Sequence, residues 1–407
     1  MNLPPRALVV GLARSGEAAA LALARRGVHV VAADLSRELD ASRLAEAGVE
    51  VHAGSEEERL LEGVELVVKS PGVPGESPLP AAARRRGIPI WSEVELGYRL
   101  LRPRPFVGVT GTKGKTTTSE LLGEIFRKAR RQVVVAGNVG RPLSAVEAAN
   151  DAWIVCELSS FQLEDVHELA CDIAVLLNVE PDHLDRHGTF EAYRDAKLRI
   201  FERARIKVVP RGLDLDGIEF GAEDPLPAEP RIPGRHNREN AAAATAAARA
   251  AGIDDEQIAQ ALNAFAGVPH RLELVRERGG VRWVNDSIAT NTLAVRRGVE
   301  AYDAPVRLIL GGRAKGEDYV PFARKLPDNV ASIYLVGEAA DVLAAALDAA
   351  GRSYERAGTL AGAVELAALE ARPGDVVLLS PAATSFDQFR NFEERGEEFR
   401  RLVHALG

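Results

Sequence analysis

A glycine-rich segment over residues 108–116 carries the clearest chemical pattern in this sequence, Gly-Val-Thr-Gly-Thr-Lys-Gly-Lys-Thr. It follows an apolar strand and precedes a predicted helix over 117–128. The backbone N–H groups of such a turn, together with the helix N-terminus, bind phosphate oxygens. Lys115 would contact the β- and γ-phosphates of a nucleotide, and the Thr116 hydroxyl would ligate Mg²⁺. Although Gly108 comes one residue earlier than in the strict P-loop pattern, the segment predicts an ATP site with these contacts: Gly111, Thr112, Lys113, Gly114, Lys115, Thr116 and Thr117.

Carboxylate and imidazole side chains follow two further predicted strands. Glu157 follows the strand 153–156, and His183 lies in the turn after the strand 173–179. Ligands of open α/β sheets bind outside the carboxyl ends of the strands, where the phosphate loop is also expected. Taken singly, Glu157 would more often be a helix N-terminal carboxylate and His183 an ordinary turn residue. Their shared edge favours Mg²⁺ ligands near the γ-phosphate.

Lys197 lies in the middle of an apolar helical stripe. The stripe consists of Phe190, Tyr193, Lys197, Ile200 and Phe201, which share one helix face. A lysine in such a stripe can extend to solvent or pair with Asp182 or Asp185. Alternatively, it is buried and the pKa of its amine is lowered. The spacing alone leaves these alternatives open.

The composition is that of an ordinary soluble protein of more than one domain. The 407 residues are 46% hydrophobic with a net charge of -8, which argues against a nucleic-acid-binding protein. Cys156 and Cys171 lie in apolar runs and are expected to be reduced and buried. No signal-peptide pattern follows Met1, and no apolar run reaches the roughly 20 residues that span a bilayer. We therefore expect a cytoplasmic protein without membrane insertion.

The elements that position these groups alternate between β-branched strands and alanine-rich helices, which predicts an α/β fold with parallel sheets. Predicted strands cover residues 8–10, 28–32, 66–68, 88–90, 106–109, 133–136, 153–156, 173–179, 306–310, 333–336 and 376–379, and predicted helices include 17–26 and 240–251. Pro/Gly-containing breaks near Pro103 and Val268 divide the chain into three predicted domains, 1–102, 103–268 and 269–407. We expect Rossmann-like N-terminal and C-terminal domains around a central P-loop ATPase-like parallel sheet.

Four motifs, in this order, resemble those of the Mur ligase family and cover most of the chain. They are Thr110-Gly-Thr-x-Gly-Lys-Thr116, the Asp182-His-Leu-Asp185 turn with its following Lys197, Gly234-Arg-His-Asn-x-x-Asn240, and Pro269-His-Arg271. Two further segments resemble the branch of the family that adds D-glutamate to UDP-N-acetylmuramoyl-L-alanine. They are Glu157-Leu-Ser-Ser-Phe-Gln-Leu163 and Ser380-Pro-Ala-x-x-Ser385-x-Asp-Gln-Phe389.

The resemblance implies an ATP-dependent amide-bond ligase of peptidoglycan precursor synthesis. ATP would phosphorylate the carboxylate of the UDP-linked substrate, and the amine of glutamate would attack the acyl phosphate. Lys115, His183 and Lys197 would be catalytic. Thr116 and Glu157 would hold one Mg²⁺, and His183 with a carbamylated Lys197 would hold a second. Cations are needed because the carboxylate and the γ-phosphate repel each other.

By the same resemblance, three groups of residues would bind the small-molecule substrates. Adenine and ribose would contact Asn237, Asn240, His270, Arg271 and Asp286. The UDP part would contact Arg14, Ser15, Asp34 and Gly72, and the muramoyl part would contact Asn138, with Ser159 as a further substrate contact. The two carboxylates of glutamate would be bound by Thr290 and Lys315 and by Ser385 with the backbone near Phe392. The protein is expected to be a monomer.

One residue departs from the family's pattern. Ile288 stands where the family commonly has lysine, which leaves the choice between D- and L-glutamate open. An L-glutamate-adding muramoyl ligase and a folylpolyglutamate synthetase-like ligase are the alternatives within the family. A catalytically inactive nucleotide-binding regulator is the alternative from another class, and the intact phosphate-loop and metal-ligand residues argue against it. The turn from Gly11 to Gly16, followed by Asp34, would by itself also fit an NAD site.

Overall fold

The computed structural model describes residues 3–232 and 234–407. The chain divides into two compact units, Met1–Phe265 and Ala266–Gly407. In the described residues, strands form two sheets in the first unit and one in the second. The predicted α/β class is therefore confirmed, while the three predicted domain boundaries stay a prediction.

The first sheet is entirely parallel, with strand order β3-β2-β1-β4-β5. Its strands are β1 Arg6–Val10, β2 His29–Asp34, β3 Glu50–Ala53, β4 Leu66–Lys69 and β5 Ile90–Ser92. Its helices are α1 Arg14–Ala24, α2 Ser42–Glu46, α3 Pro78–Arg85 and α4 Glu93–Leu101, with a 3₁₀ turn at Glu58–Leu61. Alternate residues of β1 enter two different hydrophobic cores. That burial on both faces explains the continuous apolar run of the strand.

The second sheet is also parallel, with strand order β11-β10-β9-β6-β8-β7. Its strands are β6 Phe106–Thr110, β7 Val133–Gly137, β8 Trp153–Glu157, β9 Ile173–Leu176, β10 Ile206–Pro210 and β11 Ile218–Phe220. Its helices are α5 Lys115–Lys128, α6 Ser160–Leu163, α7 Leu184–His187, α8 Phe190–Leu198, α9 Arg235–Ala250 and α10 Asp255–Ala264, with 3₁₀ turns at Leu143–Ala145 and Arg199–Phe201. Because β6 lies between β8 and β9, the loops that follow these three strands emerge side by side.

The helix α9 packs against α5 through a row of buried alanines. The sequence predicted a start at residue 240, whereas the helix begins at Arg235. The first turn is polar and largely exposed, so it lacks the apolar pattern from which a helix is recognised. The small side chains that follow bring the helix close to the phosphate loop.

The third sheet forms the second unit and has one antiparallel edge, in the order β12-β13-β17-β14-β15-β16. Its strands are β12 Glu273–Arg278, β13 Val281–Asn285, β14 Val306–Gly311, β15 Val330–Val336, β16 Glu355–Gly358 and β17 Val376–Ala382. Its helices are α11 Thr292–Glu300, α12 Val320–Arg324, α13 Ala340–Ala349, α14 Leu360–Glu370 and α15 Phe392–Ala405. The β12–β13 hairpin was not predicted. Its turn, Gly279-Gly280, has positive φ at both residues (58° and 76°), as tight hairpin turns require.

In residues 3–232 and 234–407, no helix combines the length and apolar character needed to cross a membrane.

Candidate active site

The phosphate loop joins β6 to α5 at the carboxyl edge of the second sheet. Gly114 ends the loop with φ of 84°, a conformation that residues with a Cβ rarely adopt. A Cβ at this position would lie 2.2 Å from Oδ1 of Asn240. Glycine is therefore required here both by backbone conformation and by the close approach of α9. The first N–H groups of α5 follow directly and are suited to phosphate oxygens.

Asn178 maintains the shape of the phosphate loop, a role that the sequence did not reveal. Its Oδ1 accepts hydrogen bonds from the N–H groups of Thr112 at 3.1 Å and Lys113 at 2.9 Å. Its Nδ2 donates to the Lys113 carbonyl at 3.2 Å. The Thr112 hydroxyl also lies 2.9 Å from the Tyr193 hydroxyl. The predicted strand over 173–179 ends earlier than expected, and this places Asn178 in a loop beside the phosphate loop.

Two of the three predicted catalytic residues meet at one carbonyl of this loop. Nζ of Lys115 donates to the Gly111 carbonyl at 2.9 Å, and Nζ of Lys197 donates to the same carbonyl at 2.8 Å. Lys197 is 86 residues from Gly111 along the chain and comes from α8. The fold thus concentrates amine groups where negative charge on a γ-phosphate would need stabilisation.

Lys197 is buried, with 2% of its surface exposed. Its Nζ lies 4.6 Å from the centroid of the Tyr193 ring. Burial lowers the pKa of the Lys197 amine to about 7, the nearby Lys115 acts in the same direction, and Asp182 opposes them. The spacing left open whether Lys197 extends to solvent, forms an ion pair or is buried with a lowered pKa, and the structure shows the buried alternative. An amine with this pKa is mostly neutral above pH 7.

Glu157 has an unpaired carboxylate oxygen beside the loop. It ends β8, where it is in register with Val109 of β6, and it is 3% exposed. Its Oε1 accepts a hydrogen bond from Nδ2 of Asn138 at 3.0 Å, while Oε2 is buried with no hydrogen-bond partner among the described residues. A buried unpaired carboxylate oxygen is costly, and Mg²⁺ prefers oxygen ligands. Glu157 therefore fits a Mg²⁺ ligand, and Thr116 is buried in the first turn of α5.

His183 lies after β9 with its side chain 49% exposed. Its ring centroid is 4.9 Å from that of Phe161 and 6.3 Å from that of Tyr193. Across the part of the chain that the structure describes, no three His, Cys, Asp or Glu side chains form a metal-binding group. Glu157 and His183 stay predicted Mg²⁺ ligands. Mg²⁺ needs few protein ligands, because it keeps several waters and takes further oxygens from substrate phosphates.

Two predicted substrate contacts have partners within the protein. The backbone N–H of Asn138 donates to the Glu157 carbonyl at 2.9 Å, so this residue orients Glu157 through both main chain and side chain. Ser159 caps α6, because its Oγ accepts from the Gln162 N–H at 3.2 Å and Gln162 accepts from the Ser159 N–H at 2.9 Å. This Ser-x-x-Gln capping box is recognisable in the sequence but was missed. Contact of either residue with substrate stays a prediction.

The glycine turn after β1 lies at the carboxyl edge of the first sheet. Asp34, at the end of β2, accepts hydrogen bonds from the N–H of Leu12 at 2.5 Å and of Ser36 at 2.8 Å. Its carboxylate therefore shapes the turn. The other predicted UDP contacts, Arg14, Ser15 and Gly72, are at least partly exposed. Since β1 lies between β2 and β4, all four residues lie at or just after the carboxyl ends of neighbouring strands. Their contact with UDP stays a prediction.

The predicted adenine and ribose contacts lie in both units. Asn237 and Asn240 belong to α9, and Asn240 is buried against Gly114. In the second unit, Arg271 is exposed and His270 is buried, with Nδ1 3.0 Å from Nδ2 of Asn285.

Asp286 is engaged within the second unit. Its carboxylate accepts hydrogen bonds from the Leu272 N–H at 3.2 Å and the Ser380 hydroxyl at 2.8 Å. Burial raises the pKa of the Asp286 carboxyl to about 7. A role of Asp286 and of the other four residues in nucleotide binding stays a prediction.

The predicted glutamate contacts are grouped in the second unit. Nζ of Lys315 donates to Oγ1 of Thr290 at 3.1 Å, so the structure brings this pair together. Ser385 is buried after β17, and Phe392 begins α15. Ile288 is partly buried between β13 and Thr290, with its N–H donating to the His270 carbonyl at 3.2 Å.

Arg395 was missed by sequence reasoning, yet it connects the loops that carry these residues. It is 3% exposed, and its guanidinium donates to the Ser287 hydroxyl at 3.0 Å and to the Thr384 carbonyl at 3.2 Å. Ser287 in turn donates to the Phe392 carbonyl at 2.8 Å. A single fork-shaped side chain thus holds three backbone segments around Ser385.

Comparison with known proteins identifies the family. Residues 5–92 match the Mur ligase MurD-like N-terminal domain, residues 109–214 the Mur ligase middle domain, and residues 270–383 the Mur ligase glutamate ligase domain. The chain is 41% identical to a UDP-N-acetylmuramoylalanine–D-glutamate ligase of Acidobacterium capsulatum, over 98% of this chain and 96% of that protein. It is 42% identical to the protein of the same name in Anaeromyxobacter dehalogenans, over 98% of this chain and 97% of that protein.

Solved structures have the same fold at lower identity. A UDP-N-acetylmuramate–alanine ligase of Thermotoga maritima aligns with a TM-score of 0.59 at 18% identity, covering 99% of this chain and 100% of that one. A bifunctional folylpolyglutamate synthase/dihydrofolate synthase of Yersinia pestis aligns with a TM-score of 0.53 at 21% identity, covering 76% of this chain and 92% of that one. The three family domains follow one another along the chain, and relatives about two-fifths identical match nearly all of it. The chain belongs to the Mur ligase family.

Proposed function

We propose that this protein is the ATP-dependent ligase that adds D-glutamate to UDP-N-acetylmuramoyl-L-alanine in peptidoglycan precursor synthesis. The observation that carries the proposal is near full-length similarity, at 41% and 42% identity, to two ligases named for that reaction. The site supports it independently. The phosphate loop supplies groups that can bind a nucleotide. The unpaired carboxylate oxygen of Glu157 can bind a cation, and the Lys315–Thr290 pair can bind an amino-acid carboxylate.

The chain's own residues account for the activation step. The N–H groups that follow Gly114 and the amine of Lys115 would bind the γ-phosphate, so that the substrate carboxylate attacks phosphorus and ADP leaves. Attraction by these groups offsets the repulsion between carboxylate and phosphate. Thr116 and Glu157 would hold one Mg²⁺, and His183 with a carbamylated Lys197 would hold a second. The cations would supply further charge neutralisation.

The second step joins the glutamate amine to the acyl phosphate and releases inorganic phosphate. Lys315 and Thr290 would bind one carboxylate of glutamate, and Ser385 with the backbone near Phe392 would bind the other. This two-point attachment would orient the amine toward the acyl carbon. Arg395 would keep the two attachment points at a constant separation through its bonds to Ser287 and Thr384.

The reaction is tested by phosphate release with ATP, Mg²⁺ and UDP-N-acetylmuramoyl-L-alanine. We expect release with D-glutamate that exceeds release with L-glutamate or meso-diaminopimelate by at least about a hundredfold. The two carboxylate contacts and the required approach of the amine to the acyl carbon form three fixed points, which only one enantiomer of glutamate can satisfy together. Turnover of L-glutamate without turnover of D-glutamate would contradict the stereochemical assignment, which Ile288 leaves open. Turnover of a folate substrate in place of the muramoyl substrate would contradict the proposed reaction.

Replacing Lys315 with methionine should raise the KM for glutamate by about 10- to 100-fold, since a charge-assisted hydrogen bond contributes about 1.5–3 kcal/mol. Steady-state kinetics with glutamate varied would measure this, and the KM for ATP should stay within about twofold. Lys325→Met is the matched control, because Lys325 is an exposed lysine at the end of α12. An unchanged KM for glutamate in Lys315→Met would rule out the proposed contact.

A further inference from the structure

Arg186 joins the turn that carries His183 to the loop after β4. Its Nη1 donates to the Pro71 carbonyl at 3.1 Å and its Nη2 donates to the Val73 carbonyl at 2.8 Å. These carbonyls are on either side of Gly72. The guanidinium is mostly buried, with 14% of the side chain exposed. The two donors of one planar guanidinium therefore hold both carbonyls of the loop in a defined orientation.

The loop that Arg186 holds lies at the expected ligand-binding edge of the first sheet. Ser70 begins it, and the Ser70 hydroxyl donates to the Gly11 carbonyl at 2.7 Å. A Cβ on Gly11 would lie 2.5 Å from Val73 Cγ2. The loop is therefore packed directly on the glycine turn that precedes α1. Movement of this loop would alter both the exposed backbone at Gly72 and the turn beside Asp34.

A charged cluster supports the same junction. Lys69 is 1% exposed and lies 3.3 Å from Oε2 of Glu164 and 3.1 Å from Oδ2 of Asp165. Its Nζ also donates to the Val73 carbonyl at 3.3 Å. Arg186 lies 3.5 Å from the same Glu164 oxygen. Lys69 of β4 and Arg186 of α7 thus share one carboxylate and one loop carbonyl, which links the β4 loop to the α6–α7 region.

Arg186 also reaches the aromatic groups around His183. Its guanidinium carbon lies 4.4 Å from the centroid of the Phe161 ring, at a distance typical of cation–π contacts. Phe161 contacts the His183 ring at 4.9 Å between centroids and stacks on His187 at 5.3 Å and an interplanar angle of 10°. One arginine therefore contacts the predicted UDP-binding loop on one side and the neighbour of a predicted metal ligand on the other.

We propose that Arg186 is a positioning residue that sets the loop at Gly72 in a constant relation to His183, so that a bound UDP-linked substrate places its carboxylate beside the γ-phosphate. The role rests on the proposed function, since it concerns the UDP-linked substrate of that reaction. Arg186 itself acts through the loop backbone. A residue needed for folding alone would weaken all ligands together, whereas a positioning residue for this loop affects one substrate selectively.

The test compares Arg186→Met with the wild-type protein. Calorimetry should give a Kd for UDP at least about fivefold weaker, while the Kd for the Mg²⁺ complex of a non-hydrolysable ATP analogue changes less than about twofold. In steady-state assays the KM for UDP-N-acetylmuramoyl-L-alanine should rise about tenfold or more and kcat should also fall, because small misplacements of a reacting group reduce rate strongly. Arg194→Met is the control, since Arg194 is an exposed arginine on α8 that pairs with its neighbour Asp195.

The results separate the two proposals. Equal weakening of UDP and nucleotide binding, or UDP binding within about twofold of wild type, would overturn the role of Arg186. Wild-type protein that binds UDP but ligates no glutamate would overturn the proposed reaction, and the UDP affinities would still decide the role of Arg186. If Arg186→Met does not fold, Arg186→Lys is measured in the same way. Lysine keeps the positive charge but cannot donate to both loop carbonyls as the planar guanidinium does. We therefore expect a loss of UDP affinity smaller than that of Arg186→Met.

Discussion

Replacing Lys115 with alanine is expected to lower kcat by about a hundredfold to a thousandfold while leaving the fold intact. The amine reaches the Gly111 and Thr112 carbonyls at 2.9 and 3.0 Å, which places it at the phosphate loop before nucleotide binds. Catalysis of phosphoryl transfer depends on positioning and on charge stabilisation, and removal of one preorganised donor commonly costs 10²- to 10³-fold. Phosphate release with all three substrates would measure the loss.

The control for this variant is Lys128→Ala at the other end of α5. Lys128 is a lysine of the last turn that lies 3.4 Å from Glu124, and its loss should leave turnover nearly unchanged. Circular dichroism and thermal unfolding of both variants would establish that the sheet is intact. Retention of a tenth of wild-type turnover by Lys115→Ala would contradict the assignment of this loop to ATP.

The phosphate loop was predictable because its chemistry is local. Glycine spacing, a preceding apolar strand and a following helix all lie within about twenty residues, and the structure has the predicted arrangement of β6, loop and α5. The same holds for most strands of the parallel sheets, whose continuous apolar runs reflect burial on both faces. The β12–β13 hairpin was missed although its Gly-Gly turn was visible, because β12 is only partly buried and rich in charge, so that the turn lacks an apolar strand on that side.

The groups that complete the site were not predictable, since they depend on contacts between distant parts of the chain. Asn178 is an isolated polar residue after an apolar strand in the sequence. It shapes the phosphate loop by accepting hydrogen bonds from two N–H groups that are 65 and 66 residues away along the chain. Arg395 resembles any arginine of an amphipathic helix until its burial is known. Lys197 was predictable in part. The apolar helix face on which it lies indicated that it is either solvent-exposed, ion-paired or buried, and only the three-dimensional contact with the Gly111 carbonyl identified the buried alternative.

Lys197 is expected to be carbamylated in the working enzyme. Burial lowers the pKa of its amine from 10.5 to about 7, so at pH 8 about nine-tenths of the amine is neutral and able to add CO₂. The product is a carboxylate, which can ligate Mg²⁺ together with His183, whereas an ammonium cannot. The neutral amine and its carbamate both disappear on protonation. Carbamylation and activity should therefore fall together as pH is lowered through about 7.

The same pKa gives a prediction for stability without any ligand. Between pH about 7 and 10.5 the unfolded chain binds more protons at this amine than the folded chain. The free energy of unfolding should therefore rise with pH in that window. Lys197→Met removes the group, and its unfolding free energy should depend less on pH there. Urea unfolding of both proteins at pH 7 and pH 9 would measure the difference, and identical pH dependence would contradict a lowered pKa.

Carbamylation itself is tested by a readout other than turnover. After incubation with ¹³C-bicarbonate, the wild-type protein should have a carbamate resonance that Lys197→Ala lacks, while Lys207→Ala, which changes another lysine of the same unit, should keep it.

Lys197→Ala should lose at least about a hundredfold in kcat, because one group that stabilises the transferring phosphate is gone. Acetate or formate should restore part of that activity by supplying a carboxylate in the vacated space. Full activity of Lys197→Ala without added carboxylate would exclude a catalytic carbamate. Loss of activity without rescue and without a ¹³C resonance in the wild type would instead assign Lys197 to phosphate binding as an amine, beside Lys115 at the Gly111 carbonyl.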